Sequence, residues 1–548
     1  MLRRVATILV VIFAASAPTS RASAQAAATV SLDDPAYAAI DELVAAVPLQ
    51  GLVVGQRPYS RREIARIALR FDRVLSQGGA RAAEAQARLV TLVRSLLTAY
   101  AREVRSLTGN NAPISLSSGA RIDLLGTNSS SRRVPPSNGL GSVDAFSNPL
   151  TDGMSGRPVA DGATGTVEMT NSVGIGSWLA VEADPRLTWL SDRSGSRQLN
   201  AEMQRLFVRV VARNVAVEAG ADERVWGQGG GNGMLLSANP RSLRGVTIAN
   251  DTPFTLPGFM RRLGPIRATF IGVDLGDDQN FPGAQLLGYK VDLMPTSRLE
   301  LGLGLIDQVG GGGAPRLSTG ERIKDLFPYI FLAFSPGSDR QASNKIASLD
   351  ARYYLGTSRG VTLYYEVDPD DFDVRRLASV YWQDSGHLLG THVDRLSSDG
   401  RWSLDAQFQR TSLRLYEHEQ FTSGLTYRGA IIGDPLGPNA FALSATLSSR
   451  LARGWKLSLT GVGESRDSSV YTVFQTDTAT GRGWRFVKVA DGVKENRVRA
   501  LINLTNASAD RRATLLPTVG LERVFNDGFI AGRAATHVIG GVSLRLKF

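Results

Sequence analysis

The last thirteen residues, Thr536-His-Val-Ile-Gly-Gly-Val-Ser-Leu-Arg-Leu-Lys-Phe548, constrain the fold more than any other stretch. Counted back by twos from Phe548, Leu546, Leu544, Val542, Gly540 and Val538 share one face of a strand. Lys547, Arg545, Ser543, Gly541, Ile539 and His537 share the other. Successive strand side chains point to opposite faces, so one face is apolar and the other mostly polar. A sandwich strand can carry this pattern. A terminal aromatic closing such a strand is also how outer-membrane barrels end, with the apolar face to lipid and the polar face to the lumen.

The same alternation recurs from Ile114 onward. Leu299, Leu301, Leu303 and Leu305 oppose Arg298, Glu300 and Gly302, and Trp402, Leu404, Ala406 and Phe408 oppose Ser403, Asp405 and Gln407. Phe441 to Leu447 and Val498 to Leu504 repeat it. Short connections are expected at Asp184-Pro-Arg, Ala212-Arg-Asn, Pro295-Thr-Ser-Arg, Gly356-Thr-Ser-Arg-Gly and Ala452-Arg-Gly. Long ones, rich in Gly, Pro, Asp and Ser, are expected at 126–165, 223–253, 307–344, 368–386, 411–440 and 465–493. A soluble sandwich has no reason to alternate short and long ends, whereas a transmembrane barrel does.

Ahead of the strands, Met-Leu-Arg-Arg, an apolar run from Val5 to Ala17 and Ala22-Ser-Ala24 describe a secretory signal peptide over 1–24. Of the formal charge of +11, Arg3, Arg4 and Arg21 fall in that segment, leaving +8 on the mature chain. An exported basic protein points to anionic lipid or an acidic polymer rather than nucleic acid. With no cysteine, disulfides, thiolate chemistry and a Cys-linked lipid anchor are all excluded.

Residues 25–110 read as a small helical domain. Asp33-Asp-Pro35 starts one helix, with Tyr37, Ile40, Leu43 and Val44 on a face. Ser60-Arg-Arg-Glu63 has capping-box spacing ahead of Ile64, Ile67, Ala68 and Phe71. A third helix carries Leu89, Leu92, Val93, Leu96, Tyr100 and Val104. So few residues are marginal alone, so the helices are expected to lean on the barrel of 111–548.

No cofactor, metal site or catalytic set emerges. The glycine run 227–233 lacks the Lys-Ser/Thr end of a phosphate loop and reads as a tight luminal or outer loop. His387, His392, His418 and His537 show no metal-ligand spacing. His418, between Glu417 and Glu419, is the best enzymatic candidate, and a hydrogen-bonded strand-end histidine is the plainer reading.

Two stretches resemble a known family. Val225-Trp226-Gly-Gln-Gly-Gly-Gly-Asn-Gly233 leads on to Ser237-Ala-Asn239-Pro-Arg241, and Tyr416-Glu-His418 leads on to Gly424, Tyr427-Arg428-Gly429 and Ile432-Gly433. Both are similar to the capsule assembly protein Wzi family, and Gln56 to Glu63 fits its amino-terminal part. The resemblance implies an all-β transmembrane antiparallel barrel of about eighteen strands, a size within the known range, with a small periplasmic α-helical domain. It also implies a non-enzymatic, lectin-like role in holding capsular or exopolysaccharide at the cell surface. A diffusion porin or, less readily, an outer-membrane hydrolase would be the alternative. Expected partners are outer-membrane lipid and lipopolysaccharide, an acidic polysaccharide, and the barrel assembly machinery docking at Phe548. Sugars need flat apolar faces plus hydrogen-bonding and cationic groups. The candidate residues are Trp226, Asn239, Arg241, Tyr416, His418 and Arg428 in the islands, with Arg375, Arg376, Tyr381 and Trp382 in loop 368–386.

Overall fold

The computed structural model describes residues 26–77, 83–109, 114–134, 138–176, 178–229, 233–327, 343–356, 359–370, 384–475 and 484–548. The expected signal peptide and Arg375, Arg376, Tyr381 and Trp382 lie outside them.

Eighteen antiparallel strands close a barrel among these residues. The first six are β1 (Ile114–Thr127), β2 (Gly162–Ile175), β3 (Leu179–Asp192), β4 (Arg197–Ala212), β5 (Val215–Asp222) and β6 (Leu243–Asn250). Next come β7 (Pro265–Asp274), β8 (Gln285–Thr296), β9 (Leu299–Val309), β10 (Ser343–Tyr354), β11 (Val361–Pro369) and β12 (Ser385–Val393). The last are β13 (Trp402–Thr411), β14 (Ala440–Arg450), β15 (Trp455–Asp467), β16 (Lys494–Asn506), β17 (Ala513–Phe525) and β18 (Ala534–Lys547). Each pairs with its neighbours in sequence, and β18 returns to β1, with Gly119 opposite Lys547 and Thr127 opposite Ile539. The barrel wall thus has no free edge for another strand to join.

Period-two alternation decides what each face meets. Val519 (60 % exposed), Leu443, Val498 and Val538 point outward, and Phe548 (74 % exposed) follows on the same wall. Arg186, Arg205, Lys290, Glu366 and Glu522 point inward and are buried. An apolar wall around a polar interior is what a bilayer demands of a closed sheet. No described helix is long and apolar enough to cross a membrane. Inside, the charges neutralise one another. Arg205 reaches Asp222 (2.7 Å), Glu182 (3.3 Å) and Asp184 (3.2 Å), and Arg499 meets Glu464 at 2.7 Å.

Most connections sort by end, although the short turn 193–196 falls at the long-loop end and the connection 251–264 at the short-turn end is long, and two expected connections depart from expectation. Asp184-Pro185 is no turn: it lies within β3, where a bulge shifts the register against β4. Proline has no N–H for the ladder, and the bulge absorbs the gap. The long connection expected over 223–253 ends at 242, because Leu243–Asn250 is β6, paired with both β5 and β7.

Four helices cover the short-turn end: α1 (Pro35–Ala46), α2 (Arg61–Ser76), α3 (Ala83–Ala99) and α4 (Ala101–Leu107). Ile40, Leu43, Ile64, Phe71, Leu92 and Leu96 form their core, which also takes in Tyr354 from β10 and Ala507 and Ala509 from the turn after β16. Helices and barrel mouth therefore share one apolar cluster. Ion pairs cross the seam at Arg66–Asp251 (3.0 Å), Arg88–Asp394 (3.3 Å) and Lys547–Asp34 (3.2 Å). Only half of the expected capping box forms. Ser60 Oγ accepts the Glu63 N–H at 3.1 Å, but the Glu63 carboxylate turns to Arg267 on β7 (2.7 Å). The barrel offers a full charge, a stronger partner than the cap's own backbone N–H.

Candidate functional site

Chain enters the lumen from both ends. From the short-turn end, residues 49–57 run inward, where Glu300 on β9 accepts the N–H groups of Val54 (3.0 Å) and Gly55 (2.7 Å). Gln56 and Arg57 then pair as a short ribbon with Trp226 and Val225. From the long-loop end, loop 223–242 descends to meet them. Glu366 on β11 accepts the N–H groups of Gln228 (3.0 Å), Met234 (3.0 Å) and Leu235 (3.4 Å). Gly227 permits this approach, for its φ is +132° and a Cβ there would lie 2.4 Å from Glu366 Oε1. Gly227 is thus a close-approach position in a luminal loop.

Loop 412–439 sits above loop 223–242 and is tied to it. The Tyr416 hydroxyl donates to Met234 O (2.6 Å) and accepts from Asp434 N (2.9 Å). Burial pushes that hydroxyl well above its usual range, which keeps it a donor. Burial also drives the Asp434 carboxyl up to about 7, although Leu436 N donates to it at 2.9 Å.

Of the sequence-derived candidates, four are interior. Trp226, Asn239, Tyr416 and His418 are all buried. Trp226 exchanges backbone hydrogen bonds with Leu236. Asn239 Nδ2 donates to Ile431 O (3.0 Å), and its Oδ1 accepts from Gly153 N (3.3 Å), joining three loops. His418 Nδ1 accepts the N–H groups of Gln420 (3.1 Å) and Phe421 (3.0 Å), the plainer reading of this residue. As placed, these four touch protein, and their work is to hold loops in register. Arg241 is partly exposed and paired with Glu202. Arg428 is exposed, its guanidinium 5.5 Å from the Tyr427 ring centroid.

Loops 128–161, 412–439 and 526–533 border a cleft of about 590 Å³ at the long-loop end. Arg132, Arg133, Arg466 and Arg497 line it against Asp144 and Glu495. Three of these arginines are already committed: Arg132 to Asp527, Arg466 to Glu464 (2.6 Å) and Arg497 to Glu495 (2.8 Å). Arg133 is not so held. Its side chain is 74 % exposed, 3.7 Å from the less exposed Asp144, and its guanidinium is 5.8 Å from the Phe146 ring centroid. Phe146 is 48 % exposed, and its N–H donates to Gly429 O at 2.8 Å, beside Arg428. An exposed aromatic ring with an exposed guanidinium beside it, and a second one residue from its backbone partner, can stack on a sugar face while pairing with carboxylates along the polymer. Arg133 and Phe146 were not singled out from sequence. The adjacent Arg132-Arg133 pair inside a long polar loop was the signal available.

The sequence model of the family described as Capsule assembly protein Wzi matches residues 136–486. Among solved structures, the chain is similar to that of Wzi from Escherichia coli, described as an outer membrane protein involved in group 1 capsule assembly and a carbohydrate-binding β-barrel. The identity is 15 %, the TM-score 0.61, and the match covers 95 % of this chain and 100 % of that one. OccD3 (OpdP) from Pseudomonas aeruginosa matches at 11 % identity and a TM-score of 0.44, over 82 % of this chain and 98 % of that one, too distant to bear on function. No functionally curated protein matches by sequence.

Proposed function

The chain belongs to the capsule assembly protein Wzi family, and from that premise we propose that it binds and anchors an acidic capsular or exopolysaccharide at the cell surface. It is an outer-membrane β-barrel of eighteen strands. The signal peptide of 1–24 delivers it across the inner membrane, the assembly machinery takes it up through Phe548, and the helices lie in the periplasm. The long loops then face outward, among lipopolysaccharide and polymer.

The observation that carries the binding role is the exposed Arg133–Phe146 pair, with Arg428 one residue from Phe146's backbone partner, above a lumen that chain enters from both ends. A planar guanidinium pairs bidentately with carboxylate, and uronic acids repeat carboxylates along a polymer. Several weak contacts to one chain add through effective concentration, so modest affinity per sugar retains a long polymer. Arg241 and, from sequence, Arg375, Arg376, Tyr381 and Trp382 of loop 368–386 are further candidates for the same polymer. Trp226, Asn239, Tyr416 and His418 support the loops from beneath. The role is non-enzymatic: the imidazole nitrogen His418 could offer as a base already accepts two backbone N–H groups. A diffusion porin needs an open lumen, and the pinning of residues 49–57 and loop 223–242 favours binding over transport.

Arg133→Gln with Arg428→Gln, and separately Arg375→Gln with Arg376→Gln, should release polymer into the medium while barrel abundance holds. Surface polymer equal to wild type in both variants would overturn the assignment of this face.

A further inference from the structure

We propose that the short-turn end carries a second anion site, which takes the phosphate headgroup of a phospholipid from the leaflet on that side of the membrane. The proposal rests on the reading of the chain as a membrane barrel. A cavity of about 480 Å³ opens between the helices and the barrel wall where β1 meets β2. One side is basic, with Arg61 and Arg62 of α2 and Arg102 and Arg105 of α4 around a single carboxylate, Glu103. Arg61 already uses that carboxylate, at 2.6 Å. Arg102 and Arg105 are exposed and make no ion pair among the described residues.

The other side is apolar. Ile114 and Leu116 of β1 line the cavity and are each 60 % exposed on the outer wall. Ile175 stands directly across the ladder from Ile114, and Trp178 is exposed just beyond it. Exposed aliphatics on a barrel wall belong against acyl chains, and an exposed indole at a strand end marks the headgroup level. The cavity therefore sits at the depth where phosphates lie, with guanidinium groups on the aqueous side and hydrocarbon on the other. A free anion would use the first wall and leave the second bare. An amphiphile uses both, since arginines pair with the phosphate while its chains follow Ile114 and Leu116.

The purified full chain in detergent micelles, titrated with phosphatidylglycerol and followed by native mass spectrometry, tests this against an Arg102→Gln/Arg105→Gln variant. Both residues are exposed, and the heat-induced gel shift of a folded barrel is read on the same samples. Wild type should hold lipid at about tenfold lower concentration than the variant, and glycerol phosphate at the same concentration should not be retained. Equal lipid occupancy in the two proteins, with the gel shift intact, would overturn the site. Retention of glycerol phosphate as tight as that of the lipid would overturn the assignment to a membrane lipid. A wild type without the gel shift would instead refute the barrel reading beneath it.

Discussion

Replacing Glu366 with Ala should loosen loop 223–242 without dismantling the wall. The carboxylate accepts three backbone N–H groups, from Gln228 (3.0 Å), Met234 (3.0 Å) and Leu235 (3.4 Å), and all three residues belong to one segment. A buried donor left without a partner costs about 1–3 kcal/mol, and the longest of the three contributes least, so the gross loss is about 3–6 kcal/mol. One term offsets it. Asp350 stands directly across the ladder from Glu366, and removing one of two like charges there relieves repulsion of about 1 kcal/mol. The net expectation is about 2–5 kcal/mol, felt locally, because the β10–β11 and β11–β12 ladders use backbone groups that the substitution leaves intact. At 1.4 kcal/mol per decade, amide hydrogen exchange in loop 223–242 should speed up about 30- to 4,000-fold. Exchange within β11 should not change. Glu366→Gln, which keeps one carbonyl acceptor, should fall between. Unaltered exchange at Gln228, Met234 and Leu235 in Glu366→Ala would refute the claim that this carboxylate pins the loop.

Other expectations follow from the same contacts. Burial raises the Asp434 carboxyl from 3.8 to about 7, so the folded loop holds a proton that the unfolded chain releases at lower pH. Loop stability should be greatest below pH 4, fall by a few kcal/mol on rising to pH 7 and then level off, and Asp434→Asn should flatten that profile in thermal melts. Phe71→Asp places a charge in the core shared with Tyr354, Ala507 and Ala509. It should cost about 3–5 kcal/mol, releasing the helices to protease while the barrel keeps its heat-induced gel shift. Deleting Phe548, which ends β18 and donates its N–H to Ser118 O at 3.1 Å, should lower the fraction of chain assembled in the outer membrane by fractionation.

Much of the wall was legible because its code is local. Val538, Val498 and Leu443 announce the outward face by period two, and Phe548 marks where the last strand stops. Where two signals compete, the local reading fails. Asp184-Pro185 reads as a turn, yet a bulge accommodates proline inside β3. Leu243-Arg-Gly-Val carries a glycine that blurs β6 into its flanking loops, although pairing on both sides fixes it as a strand. Ser60 behaves as a cap because its partner is three residues away, whereas Glu63 leaves the box for Arg267, a residue 204 positions distant. The entry of chain into the lumen was not legible at all. It depends on Glu300 and Glu366 meeting backbone groups more than a hundred positions away, and no periodicity encodes such meetings. For the same reason the family islands at Trp226 and Tyr416 drew attention as ligand contacts. Their conspicuous aromatics turn out to be the buried faces of loops that fold inward.

The central claim is that a barrel with chain folded into its lumen presents a cationic, aromatic surface to an acidic polymer. Binding of the purified protein to the surface polysaccharide of its own producing strain, measured across a salt series, tests it most directly. The account predicts retention that weakens steadily as salt screens the arginine–carboxylate pairs, falls in Arg133→Gln/Arg428→Gln, and occurs in a protein with little ion conductance in planar bilayers. Conductance like that of an open pore, with no polysaccharide retained at any salt concentration, would contradict it.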